Sequence, residues 1–164
     1  MAAVTEPRSS SPPYEAYAAI TGVFVGGLGL AGLAARAFDR NPACQSGLDL
    51  AVLSAATFKA ARTLARDEVT SFVRDPFVTG DAHEGGEEPV QSGDYRQAIG
   101  ELVTCSRCVG TWTAAILAST QILAPRFGRL LTWSLAAAGA NDFMQAGFAA
   151  LTDKANELES RSAG

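Results

Sequence analysis

Twenty consecutive residues, Ala16 to Ala35, carry no charge. The stretch is built from Ala, Gly, Leu and Val, and Arg36, Asp39 and Arg40 end it abruptly. A helix rises about 1.5 Å per residue, so such a run reaches about 30 Å, the thickness of a bilayer's hydrocarbon core. A buried helix of a soluble bundle would show a polar face at a period of about 3.6. This run offers only the hydroxyls of Tyr17 and Thr21. A cleaved signal peptide fits poorly, because the leader carries Arg8 but also Glu6 and Glu15. The uncharged run also exceeds the roughly 7–15 residues of a signal core. A membrane span is the expectation, within an N-terminal helix over 14–37.

Three further runs follow. Cys108 to Pro125 is uncharged, Leu130 to Leu151 is interrupted only by Asp142, and Gly47 to Leu64 carries Asp49, Lys59 and Arg62. The mean hydropathy of +0.10 hides these runs, because polar tails and an acidic loop average against them. Charged residues are only 18 % of the 164, against about 25 % in a soluble domain. The fold expected is all-α: an integral membrane bundle of four transmembrane helices, with a short cytoplasmic helix, Tyr95 to Thr104, before the third span. A net charge of −4 without a long basic run argues against nucleic acid as a partner. Three cysteines are too few for a disulfide scaffold.

Positive charge predicts orientation. With four crossings, the 66–107 connection and the C-terminus face the cytoplasm, and Arg36, Arg40, Arg126 and Arg129 face outward. The chain is then a multi-pass protein of a bacterial plasma membrane. Residues 1–13 are Ser/Pro-rich and read as a flexible tail, 47–151 as the membrane core, 78–94 as an acidic disordered loop, and 152–164 as a polar tail. The charged and apolar residues from Asp67 to Phe77 read as an interfacial extension of the second helix, ending at Pro76. His83 reads as exposed. The acidic loop lacks the ligand spacing of a calcium hand.

Several residues could carry chemistry. Cys105-Ser106-Arg107-Cys108 opens a helix, where the helix N-terminus and Arg107 both favour thiolate. The pair could be inert, redox-active or a soft-metal site such as zinc. A structural zinc needs about four ligands, which two copies could supply together. Asp142, beside Asn141, sits inside the last span, where an ionisable group is costly and so a functional candidate. Its expected partner is Arg62, with Thr113 a polar alternative. Lys59, Arg62 and Arg66 form a basic stripe able to hold lipid headgroups or a phosphate-bearing substrate. Gly22 and Gly26, continued by Gly27, Ala31 and Ala35, line one face and allow close helix contact within the chain or between copies. No complete catalytic set is present, which leans against an enzyme.

Taken together, Arg62, Asp67, Thr70, Arg74 and Pro76-Phe77, then Ile99-Gly100-Glu101-Leu102, then Cys105-x-x-Cys108-x-Gly110-x-Trp112, then Ala138-Gly139-Ala140-Asn141-Asp142 resemble the bacterial domain-of-unknown-function family numbered 1360. The resemblance runs from about Gly47 to Ala150. It implies a small multi-span membrane protein, in a family some of whose members are linked by name to sporulation. It supports the crossing of Gly47–Leu64 and leaves the first span as an addition to the family core. Members usually carry Pro-Trp between the cysteines, where this chain has Ser106-Arg107, which weakens a redox analogy. No cofactor follows from it. The functions left open are a non-enzymatic scaffold, a thiol or metal protein, and a transporter or anionic-lipid binder using Asp142 and Arg62.

Overall fold

A computed structural model describes residues 12–41, 45–82 and 86–162. The calls on residues 1–11, Cys44 and His83 lie outside them. The described chain is all-helical apart from one two-residue strand pair. Its elements are α1 (Tyr14–Ala37), α2 (Gly47–Arg66), α3 (Ser71–Arg74), β1 (Val78–Thr79), β2 (Glu88–Pro89), α4 (Tyr95–Thr104), α5 (Ser106–Leu123) and α6 (Pro125–Ser162).

Local chemistry sets the boundaries. Ser46 and Asp49 form a reciprocal capping box that starts α2. Asp94 caps α4 by accepting from Arg96 N. The Ser92 hydroxyl on the same carboxylate helps hold its pKa below the ordinary carboxylate value. Helix α2 stops at Asp67, whose backbone is extended. Residues 68–77 then form two tight 3-10 turns around the short α3. The expected continuous extension of the second helix is therefore broken at Asp67. The 152–164 tail is likewise not separate, since α6 runs unbroken through Ser162.

The core is α2, α5 and α6. Cross-contacts fix the directions. Gln45 meets Gln121 and Ala61 lies opposite Gly110, so α2 and α5 are antiparallel. Asp49 pairs with Arg129 and Lys59 with Asp142, so α2 and α6 run the same way. Helix α1 lies beside α5 and parallel to it, through Phe24 against Trp112.

What fills the core is mostly small or polar. Ala56, Ala61 and Ala65 are buried on α2, Val109, Thr113 and Leu117 on α5, and Gln121 and Thr132 where α5 meets α6. Gln121 Nε2 donates to Thr132 Oγ1 at 2.8 Å, and that hydroxyl donates to the Gly128 carbonyl. These bonds satisfy polar groups that burial would otherwise penalise. The α5–α6 turn is tight enough that a side chain at Gly128 would collide with the backbone of Gln121. Large apolar residues point outward instead: Val23, Leu30 and Leu33 on α1, Leu50 and Phe58 on α2, Leu130, Phe143 and Phe148 on α6. Among the described residues, α1 alone is long and apolar enough to meet the length-and-composition criterion for a membrane span. Polar and charged residues along α2, α5 and α6 lower their mean hydropathy.

The acidic segment is folded where it is described. Val78 pairs with Pro89 and Thr79 with Glu88 in an antiparallel register. Gly80 makes the turn at φ +99°, a conformation that suits a residue without Cβ. Gly100 on α4 packs so closely on the Phe77 carbonyl and on Pro89 that a methyl group would not fit. A disordered 78–94 loop is thus corrected: 78–82 and 86–94 form a cap at the end of the bundle where α2 stops and α5 begins.

Candidate functional site

Three side-chain clusters sit at or near this capped end. The first holds the cap to the bundle. Arg74 is fully buried. Its Nη1 donates to the carbonyls of Leu64 and Asp67 and to Thr70 Oγ1, and its Nε donates to Glu87 at 2.8 Å. Leu64 O belongs to the last turn of α2, where carbonyls lack helical partners and a cation is favourable. Arg74 therefore closes α2, shapes the following turn and anchors the acidic segment through one guanidinium. The motif positions Asp67, Thr70 and Arg74 come together here, and Pro76 contributes its carbonyl to Arg96 Nε. Glu87 as the partner was not legible in the sequence, since the segment offers several carboxylates and only the hairpin selects one.

The second cluster is the thiol pair at the start of α5. Cys105 is the N-cap; its sulfur accepts from the Cys108 backbone N–H at 3.3 Å. The two sulfurs are 2.6 Å apart. Donation from Cys108, together with its backbone N–H and the Arg107 charge, lowers the Cys105 pKa below that of an ordinary thiol. Both thiols are free. Among the described residues no group of three or more His, Cys, Asp or Glu converges, so one copy offers zinc only these two sulfurs. Glu101, one turn before Cys105, accepts from Tyr17 Oη and from Gln97. That links α1 to α4. Trp112 and Cys108 line a cleft of about 320 Å³ there with Tyr17 and Phe24.

The third cluster is the ion pair between α2 and α6. Lys59 Nζ lies 2.8 Å from Asp142 Oδ2. Arg62, the expected partner, is exposed and points elsewhere. The correction has a geometric reason. Gly139 lets α6 approach Lys59 Cβ and the Ala55 carbonyl, and Asp142, one turn on, faces Lys59. Thr113 is not the alternative, because its hydroxyl bonds to the Val109 carbonyl of its own helix. Asn141 is exposed beside the pair. Phe58 and Phe143 stack next to it at 5.3 Å. In the stripe Lys59–Arg62–Arg66, Lys59 is engaged with Asp142. Arg62 and Arg66 instead line a cleft with Arg107.

The small-residue face of α1 divides: Ala35 is buried and Ala31 lies near α5, whereas the glycines before them face open space among the described residues. A side chain at Gly22, Gly26 or Gly27 would have no atom within 4 Å. Gly110, by contrast, lies over Ala61 and permits the α2–α5 contact.

The fold and these clusters define a mostly helical protein with mainly small and polar residues inside, most large apolar residues outside and a stapled polar cap at one end. Residues 52–148, more than half of the chain, match the family described as protein of unknown function, DUF1360. The chain belongs to that family. It is similar to the sporulation protein YjcA of Bacillus subtilis (strain 168), with 33 % identity over 105 residues, covering 57 % of this chain and 85 % of that protein. No solved structure matches.

Proposed function

We propose that this chain is a multi-pass membrane protein in which α1, α2, α5 and α6 cross the bilayer, and that it acts as a non-catalytic docking scaffold through its capped end. The carrying observation is the inverted balance of side chains: mainly Ala, Gly, Thr and Gln between helices, with Val109 and Leu117, and most of the large Leu, Val and Phe outside. Helices in lipid associate through small residues and interhelical hydrogen bonds, because lipid tails are as apolar as the large side chains. Helices α2 and α5, of 20 and 18 residues, reach about 30 and 27 Å, enough to cross. Antiparallel neighbours put residues 67–104 and the α6 C-terminus at the same end. Positive-inside orientation makes that end cytoplasmic in a bacterial plasma membrane. The cap presents Val69, Phe72 and Tyr95 to its surroundings as contact residues. The name of the Bacillus relative supports a sporulation setting.

Alkaline carbonate extraction of membranes tests the reading. Retention of intact chain in the pellet, with the N-terminal residues still attached by mass spectrometry, is expected. Release into the supernatant, or a species cleaved after α1, would overturn it. The docking role is tested by complementing a deletion strain with Cys105→Ser/Cys108→Ser. Full complementation is expected of a scaffold. Loss would favour a second reading, a thiol-redox protein, which the close approach of the two sulfurs supports.

A further inference from the structure

We propose that Arg62, Arg66 and Arg107 form a phosphate-binding cleft between the end of α2 and the start of α5. Arg62 and Arg66 lie one helical turn apart near the end of α2, and Arg107 lies in the first turn of α5. All three line one cavity of about 320 Å³, with Thr57, Phe58, Ala61, Ser106 and Gly110 completing it.

Their charge is uncompensated among the described residues. Arg74 pairs with Glu87, Arg129 with Asp49, Arg161 with Glu157, and Lys59 with Asp142. Among the described residues none of the cleft arginines has a carboxylate within ion-pair distance. Three guanidinium groups sharing a small volume repel one another unless an anion joins them. Thr57, Ala61 and Gly110 line the same cavity, and the small size of Ala61 and Gly110 keeps it open between α2 and α5.

Phosphate is the chemistry that fits. A guanidinium offers paired N–H donors to phosphate oxygens, and several together spread a charge of −1 to −2 over several bonds. Ser106, which lines the same cleft, adds a neutral donor. The phosphate belongs either to an anionic lipid headgroup or to a free, soluble phosphate. The lipid source rests on the membrane reading above, which brings this end to the inner headgroup layer. The soluble source does not.

The test uses the full chain in neutral detergent. Arginine modification by phenylglyoxal is read peptide by peptide with mass spectrometry, with added phosphatidylglycerol, phosphatidylcholine or inorganic phosphate. Protection of Arg62, Arg66 and Arg107, but not of Arg126 at the opposite end, by phosphatidylglycerol alone supports a lipid phosphate. Protection by inorganic phosphate as well supports a soluble ligand. Equal modification of all four arginines in every condition overturns the proposal. Arg107→Gln is expected to weaken retention of phosphatidylglycerol on the order of tenfold, as loss of one charge-assisted contact would. Arg126→Gln is expected to leave it unchanged; equal loss in both overturns the site. Carbonate extraction separates the two proposals. A chain released by carbonate yet protected by inorganic phosphate loses the membrane reading and keeps the cleft.

Discussion

Arg74 concentrates more of the fold in one side chain than any other residue described. It is buried, bonded to two backbone carbonyls, a hydroxyl and a carboxylate. Arg74→Ala strands Glu87 and the end of α2, and is expected to cost about 3–5 kcal/mol in a chemical unfolding titration, as broken buried ion pairs do. Arg74→Lys is not expected to rescue, because a point charge cannot reach all four acceptors. The Lys59–Asp142 pair predicts a charge-swap result. Lys59→Asp and Asp142→Lys should each lower stability by on the order of 1 kcal/mol, read as a drop in thermal midpoint, and the double swap should recover most of it. Arg62→Gln should leave that midpoint unchanged. The thiols predict a pH dependence. Since Cys105 accepts from Cys108, its pKa is lowered below that of an ordinary thiol, while burial pushes that of Cys108 up to about 11. Alkylation followed by peptide mass should go first to Cys105, with its rate rising at lower pH than that of Cys108. Equal rates at the two cysteines would remove the special status of the pair.

At the scale of elements, the glycines divide by what surrounds them. Gly100 lies against the Phe77 carbonyl and Gly128 against the Gln121 backbone, whereas Gly26 faces open space. Gly100→Ala and Gly128→Ala are expected to lower the thermal midpoint measured by circular dichroism, each through overpacking of about 1–3 kcal/mol. Gly26→Ala is expected not to lower it, because α1 gains helix propensity there and no neighbour is touched. All three glycines sit within helices. Their different roles come from crossing points that no local window contains. The helices themselves were legible: the uncharged runs and the short helix before the thiols appear in the fold, while the Ser46 and Asp94 caps emerge only from the structure. The cap was not. Its glycines and carboxylates read as solvated loop, and it becomes folded only because Arg74 and Gly100 give Glu87 and Pro89 something to pack on.

Across the whole molecule, the antiparallel course of the four long helices brings charged groups to two ends. Arg40, Asp49 and Arg129 line a cleft at one end, and the cap with its arginine cleft occupies the other. With the chain crossing a membrane, exposed positions at the two ends should report opposite sides. In a cysteine-free background, Phe38→Cys is expected to react with an impermeant maleimide added to intact cells, and Gln91→Cys only after permeabilisation. Labelling of Gln91→Cys alone in intact cells would invert the orientation.

Length, the absence of charge and periodicity are properties of a segment, so the sequence alone determined that the chain is helical, where its long helices run and which end is rich in arginine. The family resemblance was carried by short motifs in order, and it holds over residues 52–148. Partnership is a property of two segments at once, and only the tertiary structure decided it. Lys59 rather than Arg62 meets Asp142 because Gly139 draws α6 onto that face of α2. Arg107 joins Arg62 and Arg66 because α5 starts where α2 ends. A charge's neighbours depend on the helix phase and crossing of another part of the chain, and those distances are set by packing.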